Sequence, residues 1–216
     1  MLGNHDQHRI ASRVGPEQAR VAALLLLTLR GTPTLYYGDE IGMHDVDIPT
    51  ALIQDPYEKN VPGRGLGRDP ERTPMQWSGA ANAGFSDVQP WLPVADDYRQ
   101  LNVEAQRDDP DSMLSLCRRI IELRRGSRAL EVGDFSPVAA KGDVLAYLRT
   151  EGDERFLVML NLGTGTHQVD RGEEARPGRV AVSSRRSREG EEVGRYLELG
   201  PNDGVVVRLE GGSFEF

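Results

Sequence analysis

The densest set of side chains able to do chemistry stands at the start of the chain, Asn4-His5-Asp6-Gln7-His8-Arg9. A carboxylate beside an imidazole is a pair able to exchange protons or bind polar groups, but taken bare the cluster is a weak signal. By itself, an Asn-His-Asp triplet is more often a turn, because Asn and Asp side chains bond their own backbone. Arg72, within Asp69-Pro70-Glu71-Arg72-Thr73-Pro74-Met75-Gln76-Trp77, marks a second candidate site, with Arg68 as a near competitor and a surface ion pair as the bland alternative.

Other familiar chemistry is absent. The alternating glycines of Gly63-Arg64-Gly65-Leu66-Gly67 have neither a preceding strand nor a following helix, so they fail as a dinucleotide fingerprint. Ser183 and Ser184 lack the context of a nucleophile elbow, and there is no His-Glu-x-x-His. The single cysteine, Cys117, excludes an internal disulfide and a Cys-cluster zinc site. It lies on an apolar helical stripe and is read as a packing residue. No cofactor and no metal site is read from the sequence.

Position sharpens the first cluster. Pro16 and Glu17 suit the first turn of a helix, Val21–Leu27 forms an apolar block, and Gly31 and Pro33 end it. Thr34-Leu35-Tyr36-Tyr37, closed by Gly38, predicts a buried strand. A helix feeding a buried strand is an α/β pattern. Asp6 then falls where catalytic residues collect, at the C-terminal end of a barrel strand. From Gly42 to about Asp97, prolines break every period, while Tyr57, Met75, Trp77, Phe85 and Trp91 favour a packed loop over a free linker. Helices are predicted over Tyr98–Arg107 and Pro110–Arg125, the latter capped by Asp109. Beyond about Val132, short strands at Val144–Leu148, Phe156–Leu162, Val180–Val182, Tyr196–Leu199 and Val205–Leu209 predict an antiparallel sandwich. The boundary is placed near Leu130–Asp134, giving domains 1–130 and 131–216. The run Arg185-Arg186-Ser187-Arg188 lies beside Glu189, Glu191 and Glu192 and is read as a solvated loop.

With 216 residues and a net charge of −8, the chain is long enough for a sizeable core and is a poor match for nucleic acid. Its most apolar run, Val21–Leu29, is far short of a membrane span, and Met1-Leu2-Gly3-Asn4-His5-Asp6 opens without a signal peptide. The default expectation is a cytoplasmic protein with no membrane or nucleic-acid partner.

Three separated motifs in order carry a family resemblance. Asn4-His5-Asp6 resembles the fourth short signature of glycoside hydrolase family 13, the α-amylase family. Gly31-Thr32-Pro33-Thr34-Leu35-Tyr36-Tyr37-Gly38-Asp39-Glu40 resembles the stretch around that family's eighth barrel strand. Asp69–Trp77, and Asn4-His5-Asp6-Gln7 followed by Arg9, are similar to its α-glucosidase and oligo-1,6-glucosidase branch. The resemblance implies the C-terminal part of a (β/α)8 barrel followed by an antiparallel β-sandwich, with an N-terminal barrel half missing. It implies retaining hydrolysis of short α-glucosides, in which Asp6 is the third carboxylate, stabilising the transition state. His5 and Arg9 would bind substrate, and Arg72 would pair with an upstream aspartate to close the pocket for the terminal glucose. Glu40 would be structural, and Trp77 and Tyr37 core or pocket wall. The nucleophile and acid of such enzymes lie upstream, so the chain alone is expected to be inactive. A trehalose synthase, a sucrose-converting transglycosylase, a non-catalytic partner-binding relative and a defunct fragment stand as alternatives.

Overall fold

A computed structural model describes residues 2–138 and 141–211. Their packing separates the chain into one unit of residues up to Ala19 with Thr34–Ser115, and another of Arg20–Pro33 with Leu116 onward. Arg20–Pro33 and the helical residues from Leu116 to Glu131 thus group with the β-rich tail, whereas the sequence places its boundary near Leu130–Asp134.

In the first unit, Asn4–Gln7 is a turn, with the Asp6 amide donating to Asn4 Oδ1 at 2.8 Å. Helix α1 (Ile10–Val14) follows, and Pro16 takes the first position of α2 (Pro16–Thr28). The strand predicted at Thr34–Tyr37 does not form: the segment is extended but no described residue pairs with it, and Thr34 and Tyr37 are exposed. β-rich composition supplies a willing chain, but a strand also needs a neighbour for its amides and carbonyls.

Gly42–Asp97 is a packed loop. Asp55 caps α3 (Pro56–Asn60) by accepting the Tyr57 amide at 2.9 Å. The helix predicted from Tyr98 starts later, as α4 (Val103–Arg107), because Asn102 Oδ1 takes the Ala105 amide at 2.8 Å and acts as the cap. Likewise α5 spans Met113–Arg125 rather than starting at Pro110. Asp109 Oδ1 is spent on the Asp111 amide in a turn, and Ser112 Oγ accepts from Ser115. Ile41, Met43, Met75 and Leu114 form the buried apolar centre of this unit.

In the second unit, Val21, Leu24 and Leu27 of α2, and Leu116, Cys117 and Ile120 of α5, are buried, so Cys117 is placed as a packing residue. After α6 (Arg128–Glu131), the chain is all β: β1 (Asp134–Val138), β2 (Val144–Glu151), β3 (Glu154–Asn161), β4 (His167–Asp170), β5 (Gly178–Ser183), β6 (Glu192–Val193), β7 (Tyr196–Leu199) and β8 (Gly204–Leu209). Antiparallel pairing gives a sheet in the order β1-β2-β3-β8-β5-β6 and a second sheet, β4-β7. Leu197 and Leu199 of the small sheet share one core with Val144, Leu157, Val180 and Val205 of the large one, as a sandwich requires.

Arg185, Arg186 and Ser187 are exposed, as expected of a solvated loop, whereas Arg188 is only 16% exposed and bonds Glu191 and Asp203. It braces the sandwich because its planar fork can serve two carboxylates at once. Among the described residues, no helix is long and apolar enough to cross a membrane.

Candidate active site

The candidate residues lie in the first unit, and most of them converge on Asp6. Asp6 Oδ1 accepts two charge-assisted hydrogen bonds, from Arg68 Nη1 at 3.0 Å and from Arg72 Nη2 at 2.9 Å. Its other oxygen, Oδ2, lies 3.2 Å from His5 Nε2. Burial pushes the Asp6 carboxyl up, but the Arg68 hydrogen bond and the charges of His5, Arg68 and Arg72 outweigh it, so the net shift is downward. Asp6 is therefore held ionised, with Oδ1 committed to the arginines and Oδ2 facing His5.

Both arginines are fixed by further bonds. Arg72 Nε donates to the His5 carbonyl at 2.8 Å, tying the Asp6 turn to the Asp69–Trp77 segment. Arg68 Nε donates to Asp55 Oδ2 at 2.7 Å, and Nη2 donates to Asp55 Oδ1. Asp55 is buried, and its amide donates to Asp69 Oδ2 at 2.9 Å. The Arg68 hydrogen bond holds the Asp55 carboxyl well below the usual carboxylate range, against burial and with help from the Tyr57 and Arg68 amides. The Arg68 guanidinium also lies 5.1 Å from the centre of the Tyr57 ring, within cation–π range.

Arg9 lies elsewhere. Its side chain is fully buried, against the rings of Tyr36 and Tyr37 at 5.1 and 4.9 Å, and Nη1 donates to the Tyr37 carbonyl at 2.7 Å. It supports the site from within the fold rather than lining it. Buried Asp39, 4.0 Å from Arg9, is pushed up to about 6 by burial, with Arg9 opposing and Glu40 and Asp45 reinforcing. Gly38 makes this arrangement possible: its φ is +87°, and a Cβ there would meet Met43 Sδ at 2.6 Å and Arg9 Nη1 at 2.8 Å.

A cleft of about 370 Å³ adjoins Arg72 and is walled by Tyr37, Trp77, Phe85, Trp91 and Leu92, with Glu40 at its border. Aromatic faces of this kind suit the apolar faces of sugar rings. Asp55 was not singled out by sequence reasoning, and Tyr57 only as an anchor of the packed loop. The available signal was the Asp-Pro start of a short helix, which marks a cap but not a brace for an arginine.

The family model for the α-amylase catalytic domain matches residues 1–133. The chain belongs to the α-amylase family, glycoside hydrolase family 13. It is homologous to α-glucosidases. It is 38% identical over 182 residues to a glucan 1,6-alpha-glucosidase of Streptococcus pneumoniae, covering 74% of this chain and 34% of that protein. It is 34% identical over 192 residues to an oligo-1,6-glucosidase of Parageobacillus thermoglucosidasius, covering 76% of this chain and 34% of that protein. Among solved structures, it is similar to the trehalose-6-phosphate hydrolase of Bacillus licheniformis, with a TM-score of 0.83, 29% identity, and coverage of 96% of this chain and 42% of that one. A trehalulose synthase gives a TM-score of 0.85 at 28% identity, with 96% and 42% covered. The chain spans about a third of the length of these curated relatives.

Proposed function

We propose that this chain is the C-terminal part of a retaining α-glucosidase acting on short α-glucosides, with Asp6 stabilising the transition state. The observation that carries the reading is an ionised Asp6 whose Oδ1 is fixed by Arg68 and Arg72 beside an aromatic cleft. Retaining hydrolysis passes through an oxocarbenium-like state, with positive charge on the ring carbon and oxygen. A carboxylate fixed beforehand stabilises that charge without reorganising during the reaction. Asp6 Oδ2 is the oxygen placed to accept a sugar hydroxyl, and His5 would hydrogen-bond a neighbouring one. Arg72 closes the sugar pocket by locking the Asp69–Trp77 segment onto the His5 carbonyl. Arg9 holds the Tyr36-Tyr37 segment in place from within the fold.

The nucleophile and the general acid belong, on this reading, to the part of the relatives that this chain does not span. The chain by itself is therefore inert toward glucosides. A transglycosylating outcome is a second reading, favoured by closely similar structural likeness to a hydrolase and to a trehalulose synthase.

The test uses the 216-residue chain and a chimera joining it to the first two-thirds of the Streptococcus pneumoniae relative. An aryl α-glucoside should be untouched by the chain and turned over by a cooperatively melting chimera. Turnover by the chain that survives repurification and is lost in Asp6→Ala would overturn the reading. So would a folded, inert chimera. Product analysis with a disaccharide separates hydrolysis from transfer.

A further inference from the structure

Three side chains suited to metal ligation converge in the first unit, on residues adjoining those that hold Asp6. His8, Asp45 and Glu71 each place one donor atom within 4.8 Å of the other two. None of the three was singled out as a site residue from the sequence. Glu71 is only 2% exposed, and its Oε2 is buried with no hydrogen-bond partner. An ionised carboxylate withdrawn from water without compensation is costly. Burial pushes Glu71 up, as does Asp45, while its own amide, His8 and Arg72 pull the other way.

His8 and Asp45 already bond each other, and the backbone around the cluster is held in place. Asp45 Oδ1 takes the Arg9 amide at 2.9 Å, which leaves Oδ2 for His8 Nδ1 at 2.8 Å. The Asp45 amide is fixed by Ser12 Oγ at 2.6 Å. The Glu71 carbonyl accepts Tyr36 OH at 3.2 Å, and the neighbouring Pro70 carbonyl accepts the Val46 amide at 3.1 Å. The backbone on both sides of the cluster is thus pinned before any ion arrives.

We propose that His8, Asp45 and Glu71 form a binding site for a divalent transition-metal ion of the zinc class. One imidazole and two carboxylates suit a borderline ion and leave a position for water. Calcium is a poor match, because it takes six to eight oxygen ligands. Two carboxylates balance the charge of a divalent ion. Bonds of about 2.0–2.1 Å in a tetrahedral arrangement separate ligand atoms by about 3.3 Å. The His8–Asp45 hydrogen bond therefore opens slightly as the ion replaces the proton between them. The bound ion would join the Asp45 segment to the Glu71-Arg72 segment, and so stiffen the loop that presents Arg72 to Asp6.

The test is calorimetric titration of the metal-stripped 216-residue chain with Zn²⁺ alone, and with Ca²⁺ alone, alongside thermal melts. One Zn²⁺ should bind per chain and raise the melting temperature, while Ca²⁺ at the same concentration should do neither. Glu71→Gln should weaken Zn²⁺ binding by at least about 100-fold, more than loss of an outer partner usually does. His8→Gln should do the same and, being at the surface, leaves the core intact. His167→Gln, in the other unit, should leave binding unchanged. The proposal is overturned by absence of saturable Zn²⁺ uptake, by uptake that survives in both Glu71→Gln and His8→Gln, by uptake lost equally in His167→Gln, or by preference for Ca²⁺.

Discussion

Arg72 Nη2 donates to Asp6 Oδ1 at 2.9 Å, across 66 residues of sequence. A guanidinium bonded to the carboxylate proposed to stabilise positive charge sets a balance. It fixes the geometry of Asp6, but it also neutralises part of its field. The arrangement works because both arginines meet Oδ1, so Oδ2 keeps its lone pairs for His5 and for substrate.

Arg72→Ala in the active chimera should raise KM for a disaccharide more than it lowers kcat. The guanidinium positions the bound sugar's surroundings in ground and transition state alike, and loss of uniform binding appears in KM. The same substitution should affect an aryl glucoside less, since that substrate asks less of the pocket wall. Steady-state kinetics on both substrates check this; an equal fall in kcat on both would assign Arg72 to the chemical step instead.

Asp55→Asn should destabilise the chain at pH 7 by about 1.5–3 kcal/mol, the worth of a charged hydrogen bond. The folded-state carboxyl of Asp55 is depressed. Its stabilisation is therefore complete above the unfolded value of about 3.9 and is lost as pH falls through the folded value. Thermal melts from pH 7 to pH 2 should show a wild-type decline beginning only below about pH 4, with the wild-type and Asp55→Asn curves converging at the acid end. Matching melts of wild type and Asp55→Asn at pH 7 would contradict the brace.

Gly133→Ala should cost about 1–3 kcal/mol or more, because the added methyl meets backbone that cannot step aside. Its Cβ would lie 2.5 Å from the Ala129 and Thr150 carbonyl oxygens. Gly194→Ala, with nothing within 4 Å of the added carbon, should be nearly neutral. Equal melting temperatures for the two variants would show that the turn from α6 into β1 is looser than the structure has it.

The site was legible where residue type and chain order carry the chemistry. Asp6, His5 and Arg72 stand in motifs that can be read without coordinates, and Arg68 was already a competitor for the pairing role. The role of substrate ligand came to Arg9 from the family resemblance, through its place after Asn4-His5-Asp6-Gln7. Its burial against Tyr36 and Tyr37 depends on tertiary packing that no local pattern displays. Asp55 and the His8–Asp45–Glu71 cluster are products of chain closure between distant loops, so spacing rules had nothing to register. Five of the eight strands of the tail were visible from their short apolar runs, whereas β1 is exposed throughout, β4 alternates between half-buried and exposed residues, and β6 has two residues, so none of these three presents such a run. Thr34–Tyr37 shares that composition and still forms no strand, since pairing is a property of neighbours and not of the segment.

The negative charge of Asp6 is what would stabilise the transition state. Asp6→Asn keeps the size of the side chain and most of its hydrogen bonding while removing the negative charge. In the active chimera, kcat for an aryl α-glucoside should fall by about 10²–10³-fold, the usual effect of losing one preorganised electrostatic partner. KM should change little, since the loss falls where positive charge develops. A kcat within a few-fold of the parent enzyme, with the melting temperature unchanged, would contradict the assignment of Asp6 as the transition-state stabiliser.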